Sequence, residues 1–241
     1  MLIYGLNPVL EALRAGRVRR LKIGPRNDKR TDDLIALARK SGIAVERVEL
    51  PALERLARGA VHQGIVAELA PMRDYSVGQL VEDAAPETPL LVVLDGVEDP
   101  HNLGAITRTV DAAGAHGIIR QERHAATLDG AAAKASAGAI AFVRFATVVN
   151  IARALEELSK ANVWTVGLAG DASETYETVD FTLPTAIVLG SEGEGLRRLT
   201  RERCDRLVRI PMAGAVESLN VSVAAGIVLF EAARQRRVKT R

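Results

Sequence analysis

Leu90-Leu91-Val92-Val93-Leu94 is an unbroken aliphatic run, with no polar residue at alternate positions. A strand with one wet face alternates. A strand that does not is covered on both faces, the situation of a parallel sheet between helices. Residues 185–189 repeat the pattern, and 163–166, 207–210, 118–119 and 142–145 supply further strand candidates. Between them fall helical patterns at 104–113 and at 151–160, where Ile151, Leu155 and Leu158 share one face. A long closing helix is expected over 220–236, apolar at first and basic at its end. Strands alternating with helices specify a doubly wound α/β sheet, whose ligands sit beyond the strands' carboxyl ends.

The first third is patterned differently. Residues 1–75 carry 14 basic and 9 acidic side chains, whereas 76–88 carry only acids (Glu82, Asp83, Glu87) together with Pro86. The composition change reads as a linker at 76–88 between a basic domain at 1–75 and a larger domain at 89–241. In the small domain, helices expected at 8–15 (with Asn7 as its N-cap), 32–40 and 51–58 alternate with strands at 21–23, 43–48 and 64–69, a small α/β sandwich. Arg17, Arg19, Arg20, Arg26, Lys29 and Arg30 cluster within fourteen residues. Such a cluster is either a solvated surface or a phosphate-contacting patch, since guanidinium forks pair with phosphate oxygens.

Composition removes several classes of protein. The net charge of +2 excludes a polycation, and the single cysteine, Cys204, excludes an internal disulfide or a multi-cysteine zinc site. The longest apolar stretch, 221–230, is half of the ~20 residues a membrane span needs. No basic segment followed by an apolar stretch opens the chain, so the expectation is a cytoplasmic protein without a membrane partner. The four histidines have no metal-pair spacing, and no metal is expected.

Three strand ends lead into loops rich in glycine or hydrogen-bonding side chains. After Leu94 comes Asp99-Pro100-His101-Asn102-Leu103-Gly104, with Arg108 four residues on; after Leu189 comes Gly190-Ser191-Glu192-Gly193-Glu194-Gly195; after Ile210 comes Pro211-Met212-Ala213-Gly214, then Ser218-Leu219-Asn220-Val221-Ser222. The glycine order G-x-x-G-x-G is the reverse of a dinucleotide fingerprint, and no G-K-[ST] exists, which argues against a nucleotide-dependent oxidoreductase. Taken alone, Asn102, Ser218 and Asn220 could be helix caps, Arg108 a surface arginine and Glu192 a solvated turn residue.

Together, N-x-G-x-x-x-R, L-G-S-E-G-x-G and I-P-M-x-G-x-x-x-S-L-N-V-S resemble the three motifs of the SpoU (TrmH) family of RNA ribose methyltransferases, in the SPOUT superfamily. Ile3-Tyr4-Gly5-Leu6-Asn7-Pro8-Val9 and Val61-His62-Gln63-Gly64-Ile65 are similar to the N-terminal domain of the family's 23S rRNA guanosine enzymes.

The resemblance implies a Rossmann-like parallel sheet with a C-terminal trefoil knot, preceded by an L30e-like RNA-binding domain. It implies S-adenosylmethionine held by backbone groups of Gly190, Ile210 and Leu219. Arg108, Asn102, Glu192, Ser218 and Asn220 become catalytic candidates, and the N-terminal basic cluster turns towards RNA. The implied reaction is 2′-O-methylation of a guanosine in 23S rRNA, free or in an assembling large subunit, by a homodimer whose site draws on both copies. A tRNA guanosine methyltransferase and a non-catalytic RNA-binding protein are the alternatives. The arginine series 197–209 and the pair Lys134 and Ser136 are further candidates for RNA contact, and Cys204 is expected to be a packing residue.

Overall fold

The computed structural model describes residues 1–25, 28–57, 59–128 and 130–239, without the side chain of Lys239. Arg26, a candidate RNA contact, lies outside them. The chain divides into two compact units, Met1–Met72 with Thr127–Phe142, and Arg73–Ala126 with Val143–Arg241.

The first unit begins with β1 (Leu2–Tyr4), α1 (Leu6–Arg14), β2 (Val18–Ile23), α2 (Lys29–Lys40), β3 (Ala44–Arg47), α3 (Leu50–Ala57) and β4 (Ile65–Leu69). Its four described strands run in the order β1-β4-β2-β3; β4 is antiparallel to both neighbours, and β2 and β3 are parallel. Asn7 is not a cap: it lies inside α1, because Gly5 (φ 94°) makes the turn and the Leu6 amide donates to Gln63 Oε1 at 3.0 Å. That partner is 57 residues away, so local sequence could not reveal it. Asp28 caps α2 from both the amide and the hydroxyl of Thr31, extending the helix three residues beyond its apolar pattern.

The second unit holds α4 (Val77–Glu82), β5 (Leu90–Asp95), α5 (Pro100–Ala113) and β6 (Gly117–Gln121); after α6 (Gly130–Ala135) come β7 (Phe145–Val148), α7 (Ile151–Lys160), β8 (Trp164–Leu168), β9 (Glu174–Thr175), β10 (Thr185–Gly190), α8 (Arg198–Arg203), β11 (Arg206–Arg209) and α9 (Val221–Lys239). The described strands form one seven-stranded parallel sheet, β7-β6-β5-β10-β8-β11-β9. All six residues of β5 are buried, as the unbroken aliphatic run requires. Fully burying each of its five aliphatic side chains, Leu90 to Leu94, contributes about 1.5–3 kcal/mol.

The segment 76–88 is not a plain linker. Ser76 and Gln79 form a capping box at the start of α4, and Val77 and Leu80 pack into the core with Leu91, Ile119, Leu155 and Leu158. The acids and prolines that suggested a linker follow this short amphipathic turn. Residues 127–142 also depart from expectation: α6 and the 3-10 turn Ala139–Ala141 cluster with the first unit. Within it, a Cβ on Gly130 would fall on the Tyr4 ring, and one on Gly138 (φ 97°) would come 2.5 Å from Cβ of Glu11. Ser136 is buried and bonded to the Ala133 carbonyl and the Ile140 amide, so it holds this segment's backbone and is not open to RNA; Lys134 is exposed. The strand expected from 142 starts at Phe145, and Phe142 is an exposed residue after the 3-10 turn.

Two features of the topology place the functional loops. Gly190 pairs with Asp95, so the carboxyl ends of β5 and β10 lie abreast. From β11, near the other side of the sheet, the chain returns so that α9 packs on α5 and β10. The Arg236 guanidinium fixes that return by donating to the carbonyls of Thr88, Pro89, Phe181 and Leu183.

Candidate active site

The three loops converge at the carboxyl ends of β5, β10 and β11. Asp99, not Asn102, is the N-cap of α5: its Oδ1 accepts from the His101 amide at 2.9 Å, and Pro100 opens the helix. Asn102 is therefore inside the first turn, 7% exposed, with its amide free for other partners. Its Nδ2 donates to Asp99 Oδ2 at 3.3 Å and to Glu192 Oε1, and its Oδ1 accepts from Asn220 Nδ2 at 3.0 Å.

Asn220 uses both ends of one side chain. Its Oδ1 accepts from the Ser222 amide at 2.8 Å and the Ser222 hydroxyl at 2.6 Å, capping α9. Its Nδ2 donates to Asn102 and, at 3.2 Å, to Glu192 Oε1. The capping and catalytic readings of this residue are thus compatible. Glu192 is presented by a loop that closes on itself: Ser191 and Gly195 exchange two backbone hydrogen bonds of 3.0 Å, with Gly193 at φ 88° and Gly195 at φ 68°. Both glycines occupy the left-handed region that other residues adopt at a cost.

A cavity of about 510 Å³ lies beside this cluster, and Gly190, Ile210 and Leu219 line it with Glu192, Ser218 and Asn220. Leu168, Leu189, Val208 and Val221 make its apolar walls. Among the described residues, no peptide group from 211 to 219 hydrogen-bonds to another peptide group, so that run of donors and acceptors faces no protein partner. A second cavity, of about 480 Å³, lies against Gly96, Glu98, Asp99, Asn102, Ser191, Glu192, Glu194 and Arg197. Glu192 lines both.

Asp95, Gln121 and Arg197 escaped the sequence reading as a unit. Asp95 is 1% exposed and accepts from the Arg197 amide at 2.9 Å and from its guanidinium at 3.4 Å; the same guanidinium donates to Gln121 Oε1 at 2.6 Å. These bonds moor the chain just after the Glu192 loop to the ends of β5 and β6. A lone carboxylate closing a wholly aliphatic strand was the signal. Gly96 (φ 78°) lets the arginine in, since a Cβ there would meet its Nη2 at 3.2 Å.

The remaining candidates divide. Arg108 is exposed on α5, lines neither cavity, and has no hydrogen bond or ion pair among the described residues. The arginine series is largely engaged by the protein itself: Arg198 with Glu202, Arg201 bidentately with Asp171, Arg203 with Glu156, and Arg206 with Glu174. Arg201 holds the Asp171 carboxyl below its usual range. In the first unit Arg19, Arg20, Lys29 and Arg30 are exposed, while Arg17 turns partly inward to the Pro71 carbonyl at 3.1 Å. Burial pushes the Cys204 thiol up to about 12, with Asp205 and Asp95 adding to the effect, which suits a packing residue. Among the described residues no cluster of metal-ligating side chains occurs, and no helix is long and apolar enough to cross a membrane.

Residues 89–230 match the model of the SpoU rRNA Methylase family, and residues 2–75 that of the RNA 2′-O ribose methyltransferase substrate-binding domain. The chain belongs to the SpoU family. It is 46% identical to the 23S rRNA (guanosine-2′-O-)-methyltransferase RlmB of Pseudomonas syringae pv. tomato, over 98% of this chain and 96% of that protein. The RlmB of Escherichia coli K12 is 44% identical over 98% of each. Among solved structures, the SpoU methyltransferase AviRb of Streptomyces viridochromogenes, in complex with the cofactor AdoMet, superposes with a TM-score of 0.81. It has 29% identity over 99% of this chain and 91% of that one. A TrmH/SpoU tRNA modifying enzyme of A. aeolicus superposes on only 68% of this chain and 84% of that one, at 33% identity, with a TM-score of 0.59.

Proposed function

We propose that this SpoU-family chain methylates the ribose 2′-oxygen of a guanosine in 23S rRNA, using S-adenosylmethionine. The observation that carries this reading is the Asn220 amide. It joins Asn102 and Glu192 at the boundary of two cavities, one sized for a cofactor and one open to a substrate. RNA enzymes that act on rRNA match the chain along its full length, whereas the tRNA modifying enzyme matches about two thirds, which favours rRNA over tRNA. A cytoplasmic location fits that substrate.

The first cavity suits S-adenosylmethionine. Its volume falls within the roughly 300–1,000 Å³ of small-molecule sites, its aliphatic walls suit an adenine, and its unpaired peptide groups suit the base edge and ribose. Glu192, Glu194 and Glu217 bring carboxylates to a ligand that carries a sulfonium and an ammonium. When bound, the cofactor supplies an electrophilic methyl group. Gly190, Ile210 and Leu219 hold it through their backbones, Asn102 and Asn220 fix the direction of Glu192, and Ser218 offers a hydroxyl on the same wall. Placement of the ribose hydroxyl is the main task of such a site, because in-line transfer needs little covalent help.

Arg108 serves the site of a second copy in a homodimer. Six residues beyond Asn102 on one helix is a rotation of about 240° from it at 100° per residue, so the two do not share a face. The guanidinium has only donors and cannot take the 2′-hydroxyl proton. It grips the neighbouring phosphate and steadies the developing alkoxide, while phosphate oxygen or water receives the proton. Arg19, Arg20, Lys29 and Arg30 contact the RNA backbone from the first unit.

Two experiments test this. Labelled S-adenosylmethionine incubated with rRNA and tRNA pools should label 23S rRNA; label confined to tRNA overturns the substrate, and none in either overturns the activity. Co-expressed Arg108→Ala and Asn220→Asp chains should regain about a quarter of wild-type activity, because half the dimers then carry one intact site. A mixture no more active than its components removes Arg108 from the partner's site.

A further inference from the structure

The second cavity has a polarity that the methyl-transfer reading leaves unused. Four carboxylates and one guanidinium line it, and two of the acids are already committed. Asp99 caps α5 with one oxygen and accepts from Asn102 with the other, and Glu192 Oε1 accepts from Asn102 and Asn220. Glu98 differs: it makes no hydrogen bond among the described residues, the nearest basic nitrogen being His124 Nδ1 at 3.6 Å, and its side chain is 63% exposed. It also borders the second cavity alone, whereas Glu194 borders the cofactor cavity as well. In the same lining Arg197 is held by Nη1 to Asp95 and Gln121, which leaves its remaining N–H groups without a bonded partner among the described residues.

A lining that holds a guanidinium and a carboxylate with no hydrogen-bond partner among the described residues suits one base better than the rest. Guanine presents an acceptor, O6, beside two donor groups, N1–H and the 2-amino group. Adenine offers an amino donor where guanine has O6, and a lone pair at N1. Against this lining it would set donor to cation and lone pair to carboxylate. Sites that hydrogen-bond a polar group reject analogues lacking it, because their own polar groups are then left unpaired.

We propose that the second cavity holds the target base and makes the enzyme selective for guanine, with Glu98 accepting from N1–H and the 2-amino group and Arg197 donating to O6. This rests on the methyltransferase reading. The cavity meets the cofactor cavity at Ser191, Glu192 and Glu194, so a nucleoside whose ribose lies at the Asn102–Glu192 boundary has its base on the Glu98 side.

The test uses 23S rRNA assembled by ligation, with guanosine, inosine or adenosine at the position the enzyme labels. Inosine lacks only the 2-amino group. The wild type should lose about 10-fold in kcat/KM on inosine and about 100-fold or more on adenosine. Glu98→Gln should lose activity on guanosine RNA and bring the guanosine-to-inosine ratio close to one, with S-adenosylmethionine affinity unchanged. An unaltered ratio in Glu98→Gln, or a ratio that collapses only in Glu194→Gln, overturns the assignment. A wild type equally active on all three RNAs overturns base reading here altogether while leaving the methyltransferase reading intact. A wild type inactive on guanosine RNA overturns both.

Discussion

Asn220→Asp separates the two jobs of one side chain. Asp is as good an N-cap as Asn, and its negative charge is favourable at a helix N-terminus, so α9 keeps its start. The donor, however, is replaced by an oxygen that lies 3.2 Å from Glu192 Oε1 and 3.0 Å from Asn102 Oδ1. Two unit charges at 3.2 Å repel by about 1.3 kcal/mol in a water-like dielectric and about 5 kcal/mol at an effective value of 20. Both side chains are exposed, so the lower end applies, about 1–2 kcal/mol. Loss of the donated hydrogen bonds adds about 1 kcal/mol. The sum, about 2–3 kcal/mol, is enough to turn Glu192 out of the cluster and corresponds to a loss of roughly 30- to 150-fold in kcat/KM. Steady-state methylation of 23S rRNA measures this, with thermal unfolding alongside. The Tm should fall by only a few degrees, since Glu192 sits on a surface loop that can swing away. Adding Glu192→Gln, which removes the like charge, should recover part of the loss as a double-mutant coupling. An Asn220→Asp enzyme within threefold of wild type would refute the claim that this cluster positions the reaction.

Gly190→Ala should weaken S-adenosylmethionine at least 10-fold by calorimetry and cost about 1–3 kcal/mol of stability. The added Cβ would overlap the backbone of Gly195 and Leu196, which cannot rotate aside as a side chain could; wild-type affinity would contradict this. Cys204 should resist iodoacetamide in the native protein near pH 8 and react on unfolding, because its thiol is pushed up to about 12. His116 has its pKa lowered from 6.5, chiefly by burial, against the opposing pull of Glu87. The unfolded chain therefore binds the proton first. The stability this histidine contributes is present above about pH 6.5 and lost as pH falls through the lowered value. Urea unfolding of His116→Gln should show a smaller loss than wild type between about pH 7 and pH 5; parallel losses would contradict the assignment.

The sequence carried the sheet because burial on both faces leaves no alternation to misread. β5 and β10 appear within a residue of their aliphatic runs. The loops were legible only as a set: one by one their glycines and amides read equally as turns and caps, and Asn220 does cap α9. What the sequence could not carry was partnership. Asp28 and Gly5 set the helix starts through a cap and a contact across 57 residues, outside any apolar periodicity. Ser76 and Gln79 were readable as a capping box, but the acids and prolines after them dominated the composition. Asn102 looked like a cap because the helical pattern begins at Gly104, but Asp99, three residues earlier, takes that place. Arg197 read as one of a basic series, although its main partner is the carboxylate that ends β5, 102 residues back.

The most direct test of the account is where the transferred methyl resides. Phosphodiester cleavage by alkali requires a free 2′-hydroxyl. After incubation with labelled S-adenosylmethionine and alkaline hydrolysis of the rRNA, the label should appear in an alkali-resistant dinucleotide that begins with guanosine. Label released in mononucleotides would put the methyl group on a base and contradict the account.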